Sequence, residues 1–281
     1  MKMPHRSKAP VQPWLIAALC SIGISGCGGT LISTKDERQI GADVHMHLKK
    51  EYKLIKPADP VGKWAIEFLR PLKKASARFR SLNSVGGYRI YVIADDKLIN
   101  AFAAPGGYTY ISSGLILSAD NCAELAGVMG HELAHVTERH GVKKLESAMA
   151  AELAGGVLFG EGAGKENTQI IWGFLQNTTF SREDESEADE VGLQIAKRGG
   201  YDPFGLAVFF RKLMAQEGGG PEFLSSHPAS SKRVKAVERS IRRRYGAKSK
   251  PGRLGRTSCK TKMKLKSLKR RLRAKRYTLL N

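Results

Sequence analysis

Residues 131–135 read His-Glu-Leu-Ala-His and lie inside a segment, residues 120–140, whose apolar side chains recur at helical spacing. On a helix, His131 and His135 lie one turn apart on the same face, so their imidazoles can bind one Zn²⁺ ion. Glu132 lies beside that face, where its carboxylate can take a proton from a water molecule whose pKa zinc lowers to about 7. The pattern therefore indicates a zinc centre suited to hydrolysis.

A catalytic zinc ion needs a third protein ligand and one open coordination position. Residues 181–189 offer carboxylates on a second predicted helix, which Ser181 can cap. Glu185 and Asp189 are four residues apart and share a face, so one can bind zinc while the other holds a ligand histidine by its second nitrogen. Without the histidine pair, an acidic stretch of this kind is more often a solvated face. The other acids of the stretch are expected to point elsewhere: Glu183, Asp184 and Glu187.

Three further histidines have no spacing that indicates a zinc ligand. His140 lies five residues past His135 and is expected to close the end of the metal-binding helix, which Gly141 stops. His45 and His47 are two residues apart on a predicted helix, cannot share a face, and are expected at the surface.

The rest of the chain predicts an α+β fold, mainly helical, with a small antiparallel sheet. Two strands are expected at residues 88–94 and 108–113, on either side of the segment 100–107. The Ala/Gly-rich residues 149–164 are expected to form a mobile loop. Further helices are expected over residues 36–52, over 60–80 with a kink or break at Pro71, from Asp202-Pro203 onward, and over 230–244.

The N-terminus has the order of an export signal: basic residues, then an apolar run, then small residues before Cys27. Residues 24–27, Ile-Ser-Gly-Cys, resemble the bacterial lipobox, in which the cysteine is acylated and becomes the first mature residue. The apolar run is about half of the roughly 20 residues that a bilayer crossing requires. We therefore expect a signal peptide over residues 1–26 and a lipidated linker over 27–35. Because Gly28 stands where aspartate would retain a Gram-negative lipoprotein, we expect transport to the outer membrane.

The formal net charge of +21 comes almost entirely from the two ends of the chain. Residues 241–281 carry 17 Lys and Arg and no Asp or Glu, so the body of the chain is close to neutral. No nucleic acid is expected as a partner, because an acylated envelope protein and nucleic acid lie in different compartments. We expect the catalytic domain to cover residues 36–244 and residues 245–281 to form a basic, disordered tail. Within the tail, residues 262–276 could form an amphipathic helix on anionic lipid or lipopolysaccharide, with its leucines facing the membrane.

The chain contains four cysteines. Cys20 leaves with the signal peptide and Cys27 would be acylated, which leaves Cys122 and Cys259. These two could form one disulfide in an oxidising compartment, but Cys259 lies in the basic tail, so both thiols are expected to be free.

Four motifs, in this order, resemble the HtpX and CAAX-prenyl-endopeptidase group of gluzincins, and within it the periplasmic lipoprotein branch. They are residues 100–107, residues 123–136, the Glu185 and Asp189 pair, and His227-Pro228 followed by Arg233. The resemblance runs from about residue 36 to residue 244. It implies one zinc ion per chain, with three ligands, a general base and a residue that orients a ligand. The implied ligands are His131, His135 and Glu185. Glu132 is the implied general base, and Asp189 the residue that orients a ligand.

The resemblance also implies a substrate-binding segment beside the active-site cleft. The backbone groups of this segment can pair with an extended peptide. The segment consists of Asn100, Ala101, Phe102 and Ala103. His227 and Arg233 are implied to lie near the zinc, where they could stabilise the negative charge that develops on the substrate. Alternatively, His227 could occupy the open position of the zinc and hold the enzyme latent, or form no more than a turn with Pro228.

Together these features predict a zinc-dependent endopeptidase, lipid-anchored in the periplasm, that hydrolyses peptide bonds in misfolded or unassembled envelope proteins. The rival interpretation is a chaperone-like protein that binds unfolded envelope proteins in the same cleft while its zinc is masked. The intact Glu132 favours the enzyme, because a pure binder has no need of a base beside the metal.

Overall fold

The computed structural model describes residues 31–155, 179–215 and 222–280, apart from residues 82 and 85, together with residue 173. The expected signal peptide, Cys27 and part of the expected 149–164 loop lie outside these residues. The helices are α1 (Thr34–Glu51), α2 (Pro60–Ser76), α3 (Ser113–Ser118), α4 (Cys122–Thr137), α5 (His140–Gly155), α6 (Arg182–Arg198), α7 (Gly205–Met214), α8 (Glu222–Ser226), α9 (Ser231–Tyr245) and α10 (Leu265–Arg273). In this part of the chain, none of them is both long and apolar enough to cross a membrane.

The four strands of the described chain form one mixed sheet. They are β1 (Leu54–Ile55), β2 (Arg89–Ile93), β3 (Ala101–Ala104) and β4 (Tyr108–Ser112), and their order in the sheet is β1-β2-β4-β3. The mainly helical α+β fold is therefore confirmed. The expectation of an antiparallel sheet is wrong for β2 and β4, which are parallel. The reason is that the chain between them first forms β3 at the sheet edge and turns back at Gly106, whose φ is 70°.

Helix α4, which carries the metal motif, is buried along its whole length. Asn121 caps it, because the Asn121 side-chain oxygen accepts the N–H of Ala123 at 2.9 Å. Helix α6 crosses α4 at a glycine-to-glycine contact. A Cβ on Gly192 would lie 2.8 Å from the Cα of His131, and a Cβ on Gly130 would lie 2.7 Å from the carbonyl oxygen of Gly192. Only glycine at both positions allows this approach, which brings the acidic face of α6 to the metal motif.

The metal-binding helix was expected to end at Gly141, but it ends four residues earlier. Helix α4 ends at Thr137, Arg139 takes a left-handed conformation with φ of 60°, and α5 begins at His140. The left-handed residue separates α4 from α5, so Gly141 lies inside the second helix and not in a turn.

The cap of α6 follows the expectation. The Ser181 hydroxyl accepts the N–H of Asp184 at 3.0 Å, and the Asp184 carboxylate accepts the N–H of Ser181 at 3.2 Å. His45, by contrast, is not a free surface residue: its ring stacks on Tyr91 with centroids 4.3 Å apart, and its Nδ1 lies 2.8 Å from the Tyr110 hydroxyl. The aromatic face of the sheet therefore covers His45.

Residues 246–280 pack on the domain, so the expectation of a disordered tail is wrong. Leu268 and Leu272 of α10 are fully buried in the main core, and their side chains therefore do not face outward as a membrane-binding surface would require. Cys122 and Cys259 form a disulfide with their Cα atoms 5.1 Å apart, which corrects the expectation of free thiols. The tail gains its order from these long-range contacts, which the local charge pattern does not reveal.

Candidate metal centre and active site

Four buried side chains direct one ligand atom each toward a common point: His131, His135, Glu185 and His227. The Nε2 atoms of His131 and His135 lie 3.0 Å apart, and Glu185 Oε1 lies 3.5 Å from His135 Nε2. The second Glu185 oxygen, Oε2, lies 3.6 Å from His131 Nε2. In a tetrahedral zinc site with bonds of about 2.0–2.1 Å, ligand atoms lie about 3.4 Å from one another. The observed separations therefore fit a zinc ion.

Contacts on the far side of the His131 ring identify which nitrogen carries the proton. His131 Nδ1 lies 3.0 Å from Asp189 Oδ1, so Nδ1 holds the proton and donates it to the carboxylate, and Nε2 is left with a bare lone pair. Burial lowers the pKa of His131 and of His135, which keeps both rings neutral at pH 7. Two lone pairs that face each other at 3.0 Å repel unless a cation lies between them. The chemistry of the donor set thus supports a metal ion.

Arg233 holds two of the carboxylates in place. Its Nε and Nη2 atoms donate to Asp189 at 2.6 and 2.7 Å, and Nη1 lies 2.5 Å from Glu185 Oε2. Nη1 also donates to the Pro228 carbonyl at 3.2 Å. All three guanidinium nitrogens are therefore engaged with protein oxygens. Arg233 thus lies beside the ligand group, as expected, and its contacts hold Asp189 and Glu185.

Glu132 is buried on the side of the centre that faces β3, with a relative exposure of 2%. Burial raises the pKa of its carboxyl to about 7, against the opposing effect of His227 and of a backbone hydrogen bond from Ala103. Glu132 Oε1 has no hydrogen-bond partner among the described residues, and His227 Nε2 lies 3.4 Å from it. A carboxyl group that titrates near neutral pH and has a free oxygen is suited to act as a general base.

Strand β3 forms one wall of a cavity that Glu132 also lines. The Asn100 carbonyl accepts the N–H of Ser112 on β4 at 3.0 Å, whereas Ala103 directs its N–H to Glu132. Of the expected substrate-binding residues, Asn100, Phe102 and Ala103 line this cavity, and Ala101 is fully buried. The cavity therefore borders strand β3 mainly at the C-terminal half of the strand, Ala103 and Ala104.

His227 lies within the centre and not only in a turn. Its Nδ1 atom lies 3.2 Å from His131 Nε2 and 2.8 Å from Glu185 Oε1, while its Nε2 atom faces Glu132. Burial alone would lower the pKa of His227, but the carboxylates of Glu132 and Glu185 outweigh it and raise the pKa. The Nδ1 position suits a fourth metal ligand, and the Nε2 position suits a proton donor beside the base.

Sequence reasoning missed three residues around His135. Phe180 stacks on the His135 ring with centroids 4.0 Å apart, and no periodic pattern marks it because it precedes α6. His140 Nδ1 lies 2.9 Å from His135 Nδ1, and Glu187 Oε2 lies 3.0 Å from His140 Nε2. Glu187 was expected to point away from the site, and its distance to His140 corrects that expectation. The spacing of five residues concealed His140, because only the left-handed Arg139 brings its ring back to His135.

A buried ligand set with two histidines and a glutamate, and a base on the metal-binding helix, is the arrangement of zinc-dependent metallopeptidases. Residues 69–241 match Peptidase family M48, and the chain belongs to that family. The resemblance drawn from the sequence motifs is thereby confirmed.

Three relatives show how far the similarity extends. The beta-barrel assembly-enhancing protease of Escherichia coli (strain K12) is 33% identical over a 161-residue alignment that covers 52% of this chain and 33% of that protein. The putative beta-barrel assembly-enhancing protease of Vibrio cholerae is 32% identical over a 221-residue alignment that covers 74% of this chain and 44% of that protein. Metalloprotease LoiP of Escherichia coli (strain K12) is 32% identical over a 170-residue alignment that covers 55% of this chain and 64% of that protein. The chain thus spans less than two thirds of the length of each of these relatives.

Proposed function

We propose that this chain is an endopeptidase that uses zinc to hydrolyse peptide bonds in misfolded or unassembled proteins of the cell envelope. One observation carries the proposal: the Glu132 carboxyl, whose pKa is raised to about 7, lies between the convergent ligand atoms and the edge strand β3. A base in this place can act on a water molecule beside a peptide that is bound along the strand.

Each residue of the site has a separate role in the proposed reaction. His131, His135 and Glu185 would hold the zinc ion, which when bound acidifies a water molecule and polarises the carbonyl that is attacked. Glu132 accepts the proton of the water and returns it to the leaving amine. Asp189 keeps the His131 ring in the tautomer that offers Nε2 to the metal.

The substrate class follows from the edge strand. No strand in the described chain pairs with the outer edge of β3, so an extended peptide can add there through main-chain hydrogen bonds. Such pairing recognises backbone more than side chains and requires an unfolded segment. The names of two relatives describe proteases that enhance beta-barrel assembly, which supports envelope proteins as substrates.

The test compares the purified full chain, loaded with zinc, with its Glu132→Gln and Glu183→Gln variants. Glu183 is an exposed acid on α6 and controls for the loss of a negative charge. Unfolded casein should be cleaved by the parent and the control, while Glu132→Gln should retain one zinc ion and lose activity by about 100-fold or more. Equal cleavage by parent and Glu132→Gln would refute the proposal.

The rival function, a zinc-masked binder of unfolded proteins, is favoured by one observation. His227 Nδ1 lies within the ligand group and could fill the position that a substrate needs. A binder would retain casein intact in both the parent and the His227→Ala variant, whereas a latent enzyme would begin to cleave casein once His227 is removed.

We further infer that the chain is exported and anchored in the outer membrane through a lipid on Cys27. The signal-like residues 1–26 and the lipobox-like residues 24–27 support this. Mass spectrometry of the mature N-terminus should find an acylated Cys27, and Cys27→Ser should release the protein from membranes. An unmodified N-terminus upstream of residue 27 would contradict the inference.

A second contact with anionic lipid or lipopolysaccharide would use the charges of the folded tail. Lys266, Arg270 and Arg273 are exposed and line one shallow groove on α10, while the leucines of this helix face the core. Cations near an anionic surface contribute about 1 kcal/mol each at low salt. Replacing these three residues by glutamine should weaken binding to anionic vesicles and leave casein cleavage unchanged, and unaltered vesicle binding would refute the contact.

A further inference from the structure

His140 is a buried titratable group that the proposed reaction does not use. It begins α5, and its side chain is fully buried although it lies outside the set of convergent ligand atoms. The left-handed Arg139 turns the chain so that the His140 ring meets the His135 ring edge to face, with centroids 4.9 Å apart. A buried polar ring needs a partner for each nitrogen, and the identity of those partners indicates a role.

The contacts among His135, His140 and Glu187 are satisfied by one placement of the ring protons. His135 must offer a bare Nε2 to the metal, so its proton lies on Nδ1. That Nδ1–H faces His140 Nδ1 at 2.9 Å, which must therefore accept and cannot carry a proton. His140 then holds its proton on Nε2 and donates it to Glu187 Oε2 at 3.0 Å, with Asp184 Oδ1 at 3.6 Å.

The two ligand histidines are thus oriented in different ways. The partner of His131 is Asp189, a buried carboxylate that Arg233 also holds. The partner of His135 is a neutral imidazole, and the carboxylate behind it, Glu187, has a side-chain exposure of 49%. Because Glu187 contacts His140 and His140 in turn contacts His135, the His140 ring is the group that directly holds the His135 tautomer.

We propose that His140 is a positioning residue that keeps His135 in its Nδ1–H tautomer for zinc, and that Glu187 in turn orients His140. This inference rests on the proposed zinc-dependent function. It predicts that the hydrogen-bond acceptor at residue 140, and not the volume of the side chain, controls the affinity for zinc.

The test uses two variants of similar shape, His140→Leu and His140→Asn. Asparagine offers its side-chain oxygen near the position of His140 Nδ1 and can accept from His135, whereas leucine cannot. Zinc affinity of the purified full chain is measured by competition with a chromophoric chelator, and the melting temperature of each metal-free protein is recorded as a measure of packing. His140→Leu should weaken zinc binding by about 10- to 100-fold, and His140→Asn should restore most of that loss.

The outcomes separate the two proposals. Equal zinc affinity in the parent and in His140→Leu would overturn the positioning role while the proposed function stands. Equal losses in both variants would also overturn it, because a packing defect would then be the cause. A parent chain that binds no zinc would overturn the proposed function and this inference together. His47→Leu, a change at a histidine on α1 remote from the site, should leave zinc affinity unchanged.

Discussion

The packing of residues 246–280 on the domain predicts that the C-terminal segment is required for stability. Leu268 and Leu272 have no exposed surface, and truncating a fully buried leucine to alanine costs about 2–5 kcal/mol. The Cys122–Cys259 disulfide joins residues 137 apart, for which loop-closure entropy gives about 5 kcal/mol. These amounts are comparable with the whole free energy of unfolding of a typical domain, about 5–15 kcal/mol. Loss of the segment should therefore unfold the domain or leave it marginally stable.

The assay is thermal and urea unfolding of the full chain carrying single substitutions. Leu268→Ala should lower the melting temperature by about 5–15 °C, as expected when 1 kcal/mol shifts a domain of this size by about 2–4 °C. Leu279→Ala, at a residue with 36% relative exposure in the same segment, serves as the control and should shift it by a few degrees at most. Reduction with dithiothreitol should destabilise the parent. A Leu268→Ala variant as stable as the control would refute the packed segment and restore the disordered tail.

Three further predictions concern the metal centre. Because Glu132 must be deprotonated to act as a base, kcat/KM should rise with pH up to about 7 and then level off, and a profile that is flat from pH 5 to pH 8 would contradict its role. Glu185→Ala should lose zinc, while Asp189→Ala should weaken zinc binding by about 10- to 100-fold, as elemental analysis and chelator competition can measure. His227→Ala should raise casein cleavage and sensitivity to chelators if His227 masks the metal. If His227 stabilises charge on the substrate, the same change should lower kcat by about 100-fold with little effect on KM.

Local patterns predicted the parts of the fold and site that depend on short-range geometry. The spacing of four residues placed His131 with His135 on one helix, and Glu185 with Asp189 on another, as the structure has them. Ser181, predicted as a helix cap, marked the start of α6 in the same way. These features depend on hydrogen bonds and side-chain spacing within one or two turns, which a single sequence contains in full.

The remaining parts depend on contacts between distant residues. The C-terminal segment reads as disordered because it is rich in charge, yet a disulfide and two leucines tie it to the core, and Lys269 donates to the Leu117 carbonyl at 2.9 Å. His140 reaches His135 only because Arg139 is left-handed, a conformation that the sequence does not announce at a non-glycine residue. Residues 101–104 were expected only as part of a segment between two strands. They form the edge strand β3 because they pair with β4, and the residues of the segment alone do not reveal that pairing.

The close packing of α4 and α6 buries acidic side chains, and a bound metal ion can compensate their negative charge. Three buried acids lie at the centre, namely Glu132, Glu185 and Asp189, and Arg233 pairs with the last two. Each buried carboxylate costs several kcal/mol unless it is compensated. Where no divalent cation is bound, protons can supply the missing positive charge, and the raised pKa values of Glu132, about 7, and of His227 are consistent with this. Protons on Glu132 and His227 and a zinc ion on the neighbouring ligands compensate the same buried negative charge, so the affinity for zinc should fall as the pH is lowered. A zinc ion held by His131 and His135 of α4 and Glu185 of α6 would therefore stabilise the contact between the two helices as well as supply the proposed chemistry.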